Sequence, residues 1–137
     1  MLMGVRGINT NFAWDESGNG KIVSAPLGNY SDQCARTKLI IINKGIFEWE
    51  VIIEKSCVYS WVGICASENF NYGAFAGYQS TGWVLGSNGT CWNSGKGSNY
   101  CQPFGDGAKI IVHLDVNKRT CAFISQWYKV SRSTELE

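Results

Sequence analysis

The sequence predicts an all-β protein built as a two-sheet antiparallel β-sandwich, and three observations support this prediction. Apolar and polar side chains alternate with a period of two in several segments, as they do in a strand that buries one face. Sixteen glycines and only two prolines separate these segments at intervals of about 8 to 12 residues, a spacing typical of sandwiches. No window of a dozen residues shows the 3.6-residue repeat of an amphipathic helix.

The N-terminal part of the chain predicts an arm followed by a first strand. Residues 1–11 show no clear strand pattern, so we expect a flexible arm there and a single domain over residues 12–137. The first strand is expected to begin in the segment that runs from Phe12 to Trp14. Residues 38–42 and 61–66 are short, continuously apolar runs, which is the pattern of strands buried on both faces.

The clearest strand lies in residues 46–54, and its two faces differ in character. One face carries Phe47, Trp49, Val51 and Ile53, and the other carries Glu48, Glu50, Ile52 and Glu54. The apolar set is expected to face the core.

A hairpin is predicted further along the chain. Ile110, Val112 and Leu114 alternate with Lys109, Ile111 and His113, residues 115–119 form the turn, and Cys121 and Phe123 resume the inward face. His113 is the only histidine and has no companion ligand at metal-binding spacing. We therefore expect it to face outward, and we expect no metal site.

Two segments without alternation, residues 67–80 and 86–105, are long enough to be functional loops. In a sandwich such loops cluster at the ends of the sheets. The glycines of the second loop, above all Gly89 after Asn88, are expected at turn positions. A phosphate-binding loop is excluded because no helix follows.

Composition narrows the classes of partner. Twelve Lys and Arg residues against eleven Asp and Glu residues give a net charge of +1, which argues against a nucleic-acid partner. No apolar run approaches the ~20 residues of a membrane span, and no export signal is visible. We expect no membrane partner and a location in the cytoplasm, with the nucleus as the alternative.

The six cysteines are expected to be reduced. They are Cys34, Cys57, Cys65, Cys91, Cys101 and Cys121. None forms a C-x-x-C pair, so neither a redox motif nor a zinc knuckle is predicted. Cys65 and Cys121 lie in apolar strand patterns, where a free cysteine packs as a small apolar residue. We expect no cofactor.

The order of four segments resembles the SPRY domain family. They are GIFEWEVIIE at residues 45–54, WVGICA at 61–66, GYQSTGWVLGSNGTCWNSGK at 77–96 and DGAKIIVHLDVNKRTCAF at 106–123. The resemblance covers residues 12–125 and rests on the ordered series rather than on any one segment.

The resemblance implies a non-catalytic interaction module. SPRY domains are bent, concanavalin-like β-sandwiches whose loops at one end bind peptide segments or folded proteins. The family usually continues from the hairpin into further strands, which the segment CAFISQWYKVSRSTELE does not show. We therefore expect a sandwich that lacks its last strands, or that exchanges terminal strands with a second copy in a homodimer.

The predicted partner-binding surface follows the loop positions that the resemblance implies. Its residues are Tyr59, Glu68, Asn69, Phe70, Asn71, Tyr72, Phe75, Tyr78, Gln79, Trp92 and Asn93. Tyr and Trp in loops provide a large contact area at low entropic cost. An alternative stays open at this point, in which the rings of residues 70–78 fold back over the sandwich. The strand aromatics Phe47, Trp49, Trp61, Trp83 and Phe123 are predicted to lie in the core.

A second function comes from a different class. Glu48 and Glu50 share a strand face, which places their carboxyl groups about 5 to 7 Å apart, close to the spacing in glycoside hydrolases. A lectin-like carbohydrate-binding sandwich, or a glycoside hydrolase using this face, is therefore the alternative. The simpler interpretation is a solvated strand face that pairs with Lys or Arg on a neighbouring strand.

Overall fold

The computed structural model describes residues 44–54, 59–66 and 70–127 in full, together with the backbone of four short strands in the first 43 residues. The strands are β1 (Leu2–Arg6), β2 (Ala13–Asp15), β3 (Ile22–Ser24), β4 (Asp32–Arg36), β5 (Ile46–Ile53), β6 (Tyr59–Cys65), β7 (Gly82–Gly86), β8 (Thr90–Asn93), β9 (Lys96–Asn99), β10 (Ala108–Asp115) and β11 (Thr120–Gln126). A 3₁₀ turn, Ala76–Tyr78, precedes β7. None of the helical structure described is long and apolar enough to cross a membrane.

The strands form two main antiparallel sheets. The larger sheet has the order β4-β1-β6-β7-β8-β9, the smaller has the order β11-β10-β5, and β2 and β3 pair separately. All the pairings are antiparallel. The predicted all-β sandwich is confirmed.

Strand β1 lies in the range where the sequence predicts a flexible arm. It pairs with β4 on one side and β6 on the other, so these five residues belong to the larger sheet. Their short sequence, LMGVR, carries too few alternating positions to predict a strand. Pairing on both sides supplies the backbone hydrogen bonds that the local sequence does not specify.

The main core lies between the two sheets. Val62 and Leu85 come from the larger sheet, and Ile110, Val112 and Phe123 come from the smaller one. The alternation predicted for β5 is confirmed, because Val51 and Ile53 are buried whereas the glutamates of this strand are exposed. The hairpin formed by β10 and β11 also has its predicted register, with Val112 opposite Phe123.

A second, aromatic cluster covers the outer face of the larger sheet. It consists of Trp61, Val84, Phe70, Phe75 and Ala76, with Trp92 packed against it. Glycine allows this close packing. A Cβ atom at Gly86 would lie 2.3 Å from the ring of Trp61, and one at Gly97 would lie 2.3 Å from the ring of Trp92.

Trp83 does not occupy the core position predicted for it. Its side chain is 39% exposed, although its neighbours Val84 and Leu85 are almost fully buried. Trp83 lines an open cleft between the sheets, where the described strands of the smaller sheet do not cover the larger one. The alternation of side chains predicts which way this residue points, but not how far the opposite sheet extends.

Candidate functional site

A group of exposed tyrosines lies above the aromatic cluster. Tyr59, Tyr72 and Tyr78 are 37%, 39% and 61% exposed. Tyr59 begins β6, and the other two belong to the loop that packs on the outer face of the larger sheet. We call these three side chains the tyrosine surface.

The tyrosine surface is supported by buried rings. Tyr59 contacts Trp61 with ring centroids 6.4 Å apart, and Tyr72 stands edge-on to Phe70 at 5.1 Å. Tyr78 stands edge-on to Phe75 at 4.9 Å. The edge-to-face pairs of Tyr72 and Tyr78 are attractive beyond simple area burial, whereas Tyr59 packs on Trp61 at a tilt of 44°. Each exposed ring therefore rests on a buried one.

Gln79 holds the loop in shape. Its side-chain amide accepts a hydrogen bond from the backbone N–H of Asn71 at 2.8 Å and donates one to the carbonyl of the same residue at 2.9 Å. Longer contacts of 3.5 Å reach the carbonyls of Ala74 and Phe75. One side chain therefore bonds to backbone groups at Asn71, Ala74 and Phe75 and holds these parts of the loop together.

The β8–β9 hairpin fastens the other side of the loop. Asn93 donates to the carbonyl of Gly82 at 2.8 Å and to that of Ser80 at 3.2 Å. The turn that follows has positive φ at both Ser94 and Gly95, as a two-residue hairpin turn of type I′ requires. Its N–H groups bond back to Gln79 and Gly77.

Trp92 is also held in place rather than free. Its indole N–H donates to the Thr90 hydroxyl at 2.9 Å, and that hydroxyl donates to the side chain of Asn88 at 2.7 Å. Its ring lies 6.0 Å from Tyr78 and 5.9 Å from Phe75. The indole supports the edge of the tyrosine surface through its ring.

The predicted partner-binding residues thus divide into three groups. Tyr59, Tyr72, Tyr78 and Asn71 are exposed, whereas Phe70 and Phe75 are buried, at 9% and 6% exposure. Gln79, Trp92 and Asn93 use their polar groups inside the fold. Glu68 and Asn69 lie outside the described residues.

The structure corrects the partner-contact role predicted for Phe70 and Phe75. The sequence places them at the contact surface because their loop is polar and rich in glycine. In the structure the loop turns its phenyl rings onto Trp61 and Val84, so they act as a base for the surface. This is the alternative that the sequence left open, and it holds for two of the four loop aromatics.

Trp61 carries an unusual feature beneath this surface. Its side chain is 4% exposed, and its indole nitrogen has no hydrogen-bond partner among the described residues. An unsatisfied buried N–H group costs about 1 to 3 kcal/mol.

The glutamates of β5 have ordinary partners. Glu48 lies 3.3 Å from the imidazole of His113, and Glu50 lies 3.7 Å from the ammonium group of Lys109. All four side chains are well exposed on the outer face of the smaller sheet. This pairing across strands is the simpler of the two interpretations of the glutamate face.

Three thiols lie near the inner face of the sandwich. Burial, together with the neighbouring Cys101 and Cys121 thiols, raises the pKa of Cys91 to about 12. Burial also raises the pKa of Cys121 to about 11. The neutral thiol is a poor nucleophile, and no group of His, Cys, Asp and Glu among the described residues is arranged to hold a metal ion.

The structure adds one feature that the sequence analysis missed, a cleft of about 870 Å³ between the two sheets. Ile64 and Trp83 line it from the larger sheet, and Leu114 and Phe123 line it from the smaller. No local sequence signal predicts it, because its walls come from strands that are far apart in the chain.

Comparison with known proteins leaves the family open. Neither the family models nor the curated proteins searched contain a match to this sequence.

Proposed function

We propose that this chain is a non-catalytic interaction module that binds a peptide segment or a protein partner through the tyrosine surface. The observation that carries the proposal is the combination of exposed tyrosines with a rigid base. The exposed rings of Tyr59, Tyr72 and Tyr78 each pack on a buried aromatic ring. The loop that carries Tyr72 and Tyr78 is held by hydrogen bonds to its backbone.

Rigidity matters because binding costs conformational entropy. A loop that orders only on binding loses affinity, whereas a preorganised loop avoids that loss. Here Gln79 and Asn93 fix the loop from both sides. Tyrosine also has few rotatable bonds for its area and is enriched among residues that dominate binding energy.

The surface offers polar contacts as well as apolar ones. Among the described residues, the hydroxyl groups of Tyr59 and Tyr78 have no hydrogen-bond partner. A peptide backbone can supply the missing donor and acceptor. The resemblance to SPRY domains supports the same surface, since it implies binding loops at these positions.

The module is proposed to act inside the cell, in the cytoplasm or the nucleus. Cys65, Cys91, Cys101 and Cys121 are free thiols, and reduced cysteines are usual in those compartments.

A homodimer through terminal strands remains part of this proposal. β11 is an outer strand of the smaller sheet in the described topology. Tyr100 satisfies the edge groups of Phe123, and the rest of this edge is a template for another chain. Light scattering over a concentration series in reducing buffer measures the mass directly. A monomer at all concentrations would remove the homodimer from the proposal.

The test of the tyrosine surface uses a displayed library of random peptides selected on the immobilised wild-type chain. We expect enriched peptides that lose at least tenfold in affinity to Tyr78→Ala and to Tyr72→Ala, with the melting temperature nearly preserved. The control is Ile52→Ala, an exposed apolar side chain on the other sheet. Peptides that bind all variants equally, or no enrichment at all, would contradict the proposal.

A further inference from the structure

We propose that the cleft between the two sheets is a separate binding site for a small amphipathic carboxylate, a molecule with an apolar body and one anionic head group. The site lies on the inner side of the larger sheet, whereas the tyrosine surface lies on its outer side. The lining of the cleft reaches Trp92 and Asn93 of the β8–β9 hairpin but includes none of the three tyrosines, so the inference does not rest on the proposed interaction function.

The walls of the cleft are apolar. Ile64 and Trp83 face Leu114 and Phe123 across it. Trp83 is exposed although it is the second residue of β7 and both of its neighbours, Gly82 and Val84, are buried. The volume of about 870 Å³ falls within the range of roughly 300 to 1,000 Å³ found for small-molecule sites, which are likewise mostly apolar with a few polar groups.

The charged groups of the cleft all have the same sign. Lys96 and Arg119 line it, and none of its described lining residues is acidic. Both cations are exposed, and neither forms an ion pair with a described residue. Two cations beside an apolar cavity favour a ligand whose single negative charge stays near solvent while its body is buried.

The remaining polar residues of the lining carry no formal charge: Asn93, Ser94, Ser98, Tyr100, Thr120 and the thiols Cys91 and Cys121. Cys91 and Cys121 line the cleft, and burial keeps both thiols neutral because it raises their pKa. A neutral thiol packs as a small apolar group. The charge of the ligand is therefore balanced at the mouth of the cleft, by Lys96 and Arg119, and not inside it.

The direct test titrates decanoate into the folded chain, and follows binding by tryptophan fluorescence and by calorimetry. Decanol and decyltrimethylammonium serve as probes with the same body and a neutral or cationic head. We expect decanoate to bind at least fivefold more tightly than decanol, and the cationic probe to bind most weakly, because each exposed charge contact contributes up to about 1 kcal/mol. Equal affinity for decanoate and decanol, or no binding of decanoate, would overturn the proposal.

Two pairs of variants locate the site. Lys96→Gln combined with Arg119→Gln is expected to weaken decanoate binding about fivefold or more, whereas Lys118→Gln, on the same turn but outside the cleft, leaves it unchanged. Ser98→Trp places an indole in the cleft and is expected to abolish binding. Asn99→Trp, the next residue and also exposed, is the matched control. Equal effects within either pair would overturn the assignment to this cleft.

A second copy of the chain is the competing occupant of the cleft. The solution mass of the wild type and of Ser98→Trp distinguishes the two. If the wild type is a dimer that Ser98→Trp converts into a monomer, and decanoate does not bind, then a protein partner fills the cleft and the proposal is wrong. An unchanged mass together with loss of decanoate binding supports it.

Discussion

The hydroxyl oxygen of Tyr100 lies 2.9 Å from both the backbone nitrogen and the backbone oxygen of Phe123. It accepts a hydrogen bond from the N–H group and donates one to the carbonyl. Tyr100 directly follows β9 in the larger sheet, and Phe123 lies in β11, at the edge of the smaller sheet. One side chain therefore joins the two sheets and satisfies two edge groups that a neighbouring strand would otherwise pair.

Tyr100→Phe removes both of these hydrogen bonds and keeps the ring. We expect the free energy of unfolding to fall by about 1 to 2 kcal/mol, since each bond contributes about 1 kcal/mol net and water replaces part of it. Urea denaturation measures the change. Tyr78→Phe is the control, because the Tyr78 hydroxyl has no partner among the described residues. Equal effects of the two changes would show that the link between the sheets contributes nothing.

Phe75→Ala is expected to be far more damaging than Tyr78→Ala. Phe75 is buried between Trp61 and Trp92, so its removal leaves a cavity and costs about 3 to 5 kcal/mol. Tyr78 is mostly exposed, and we expect a loss below about 1 kcal/mol for it. Thermal and urea denaturation of both variants measure the two losses in the free energy of unfolding. Similar small losses would mean that Phe75 is not part of a packed cluster.

Gly86→Ala tests the close approach of Trp61 to the sheet. The new methyl group would overlap the indole ring, and overpacking of this kind costs about 1 to 3 kcal/mol. We expect a matching change in the near-ultraviolet circular dichroism of the tryptophans. Gly73→Ala is the control, because a Cβ there meets only an ordinary contact at 3.5 Å. If Gly86→Ala leaves the free energy of unfolding unchanged, Trp61 moves away from the new methyl group without loss of stability.

The buried thiols predict a loss of stability at high pH. The pKa of Cys91 is raised to about 12 and that of Cys121 to about 11, from an ordinary value of 9.0. Above about pH 9 the unfolded chain therefore loses these protons first, while the folded chain keeps them, and the free energy of unfolding falls as the pH rises. Below pH 9 the contribution of these thiols is fully present.

The measurement is the urea midpoint between about pH 8 and pH 10.5. We expect the wild type to lose more stability over this range than the double variant Cys91→Ala, Cys121→Ala, whatever the stability of that variant at neutral pH. The same slope in both proteins would show that the two thiols titrate alike in the folded and unfolded states.

Much of the fold follows from local pattern. In β5 the alternation of Val51 and Ile53 with charged neighbours predicts a half-buried strand, because successive side chains point to opposite faces. The same reasoning places Ile110 and Val112 inward and fixes the register of their hairpin, and both are observed. These features depend only on residues that are close in sequence.

The exposure of the residues in the candidate site follows only in part from the sequence. The loop that carries Tyr72 and Tyr78 is the one that the sequence singled out, yet its phenylalanines are buried under it. Composition cannot decide between these outcomes, since Phe75 and Tyr78 are three residues apart in the same polar loop. Which of the two rings is buried depends on the outer face of the larger sheet, where glycines leave room for rings.

Tertiary structure alone decided what the sheets enclose and how they are joined. The exposure of Trp83, the cleft beneath it and the bond from Tyr100 to Phe123 all require strands that meet only in three dimensions. The sequence by itself determined the strands β5, β10 and β11 and the direction of their side chains, because a backbone with period two imposes that pattern locally. It did not determine β1, β8 and β9, which lie where the sequence predicts an arm and a loop. The extent of each sheet is set by long-range pairing, and no local pattern encodes it.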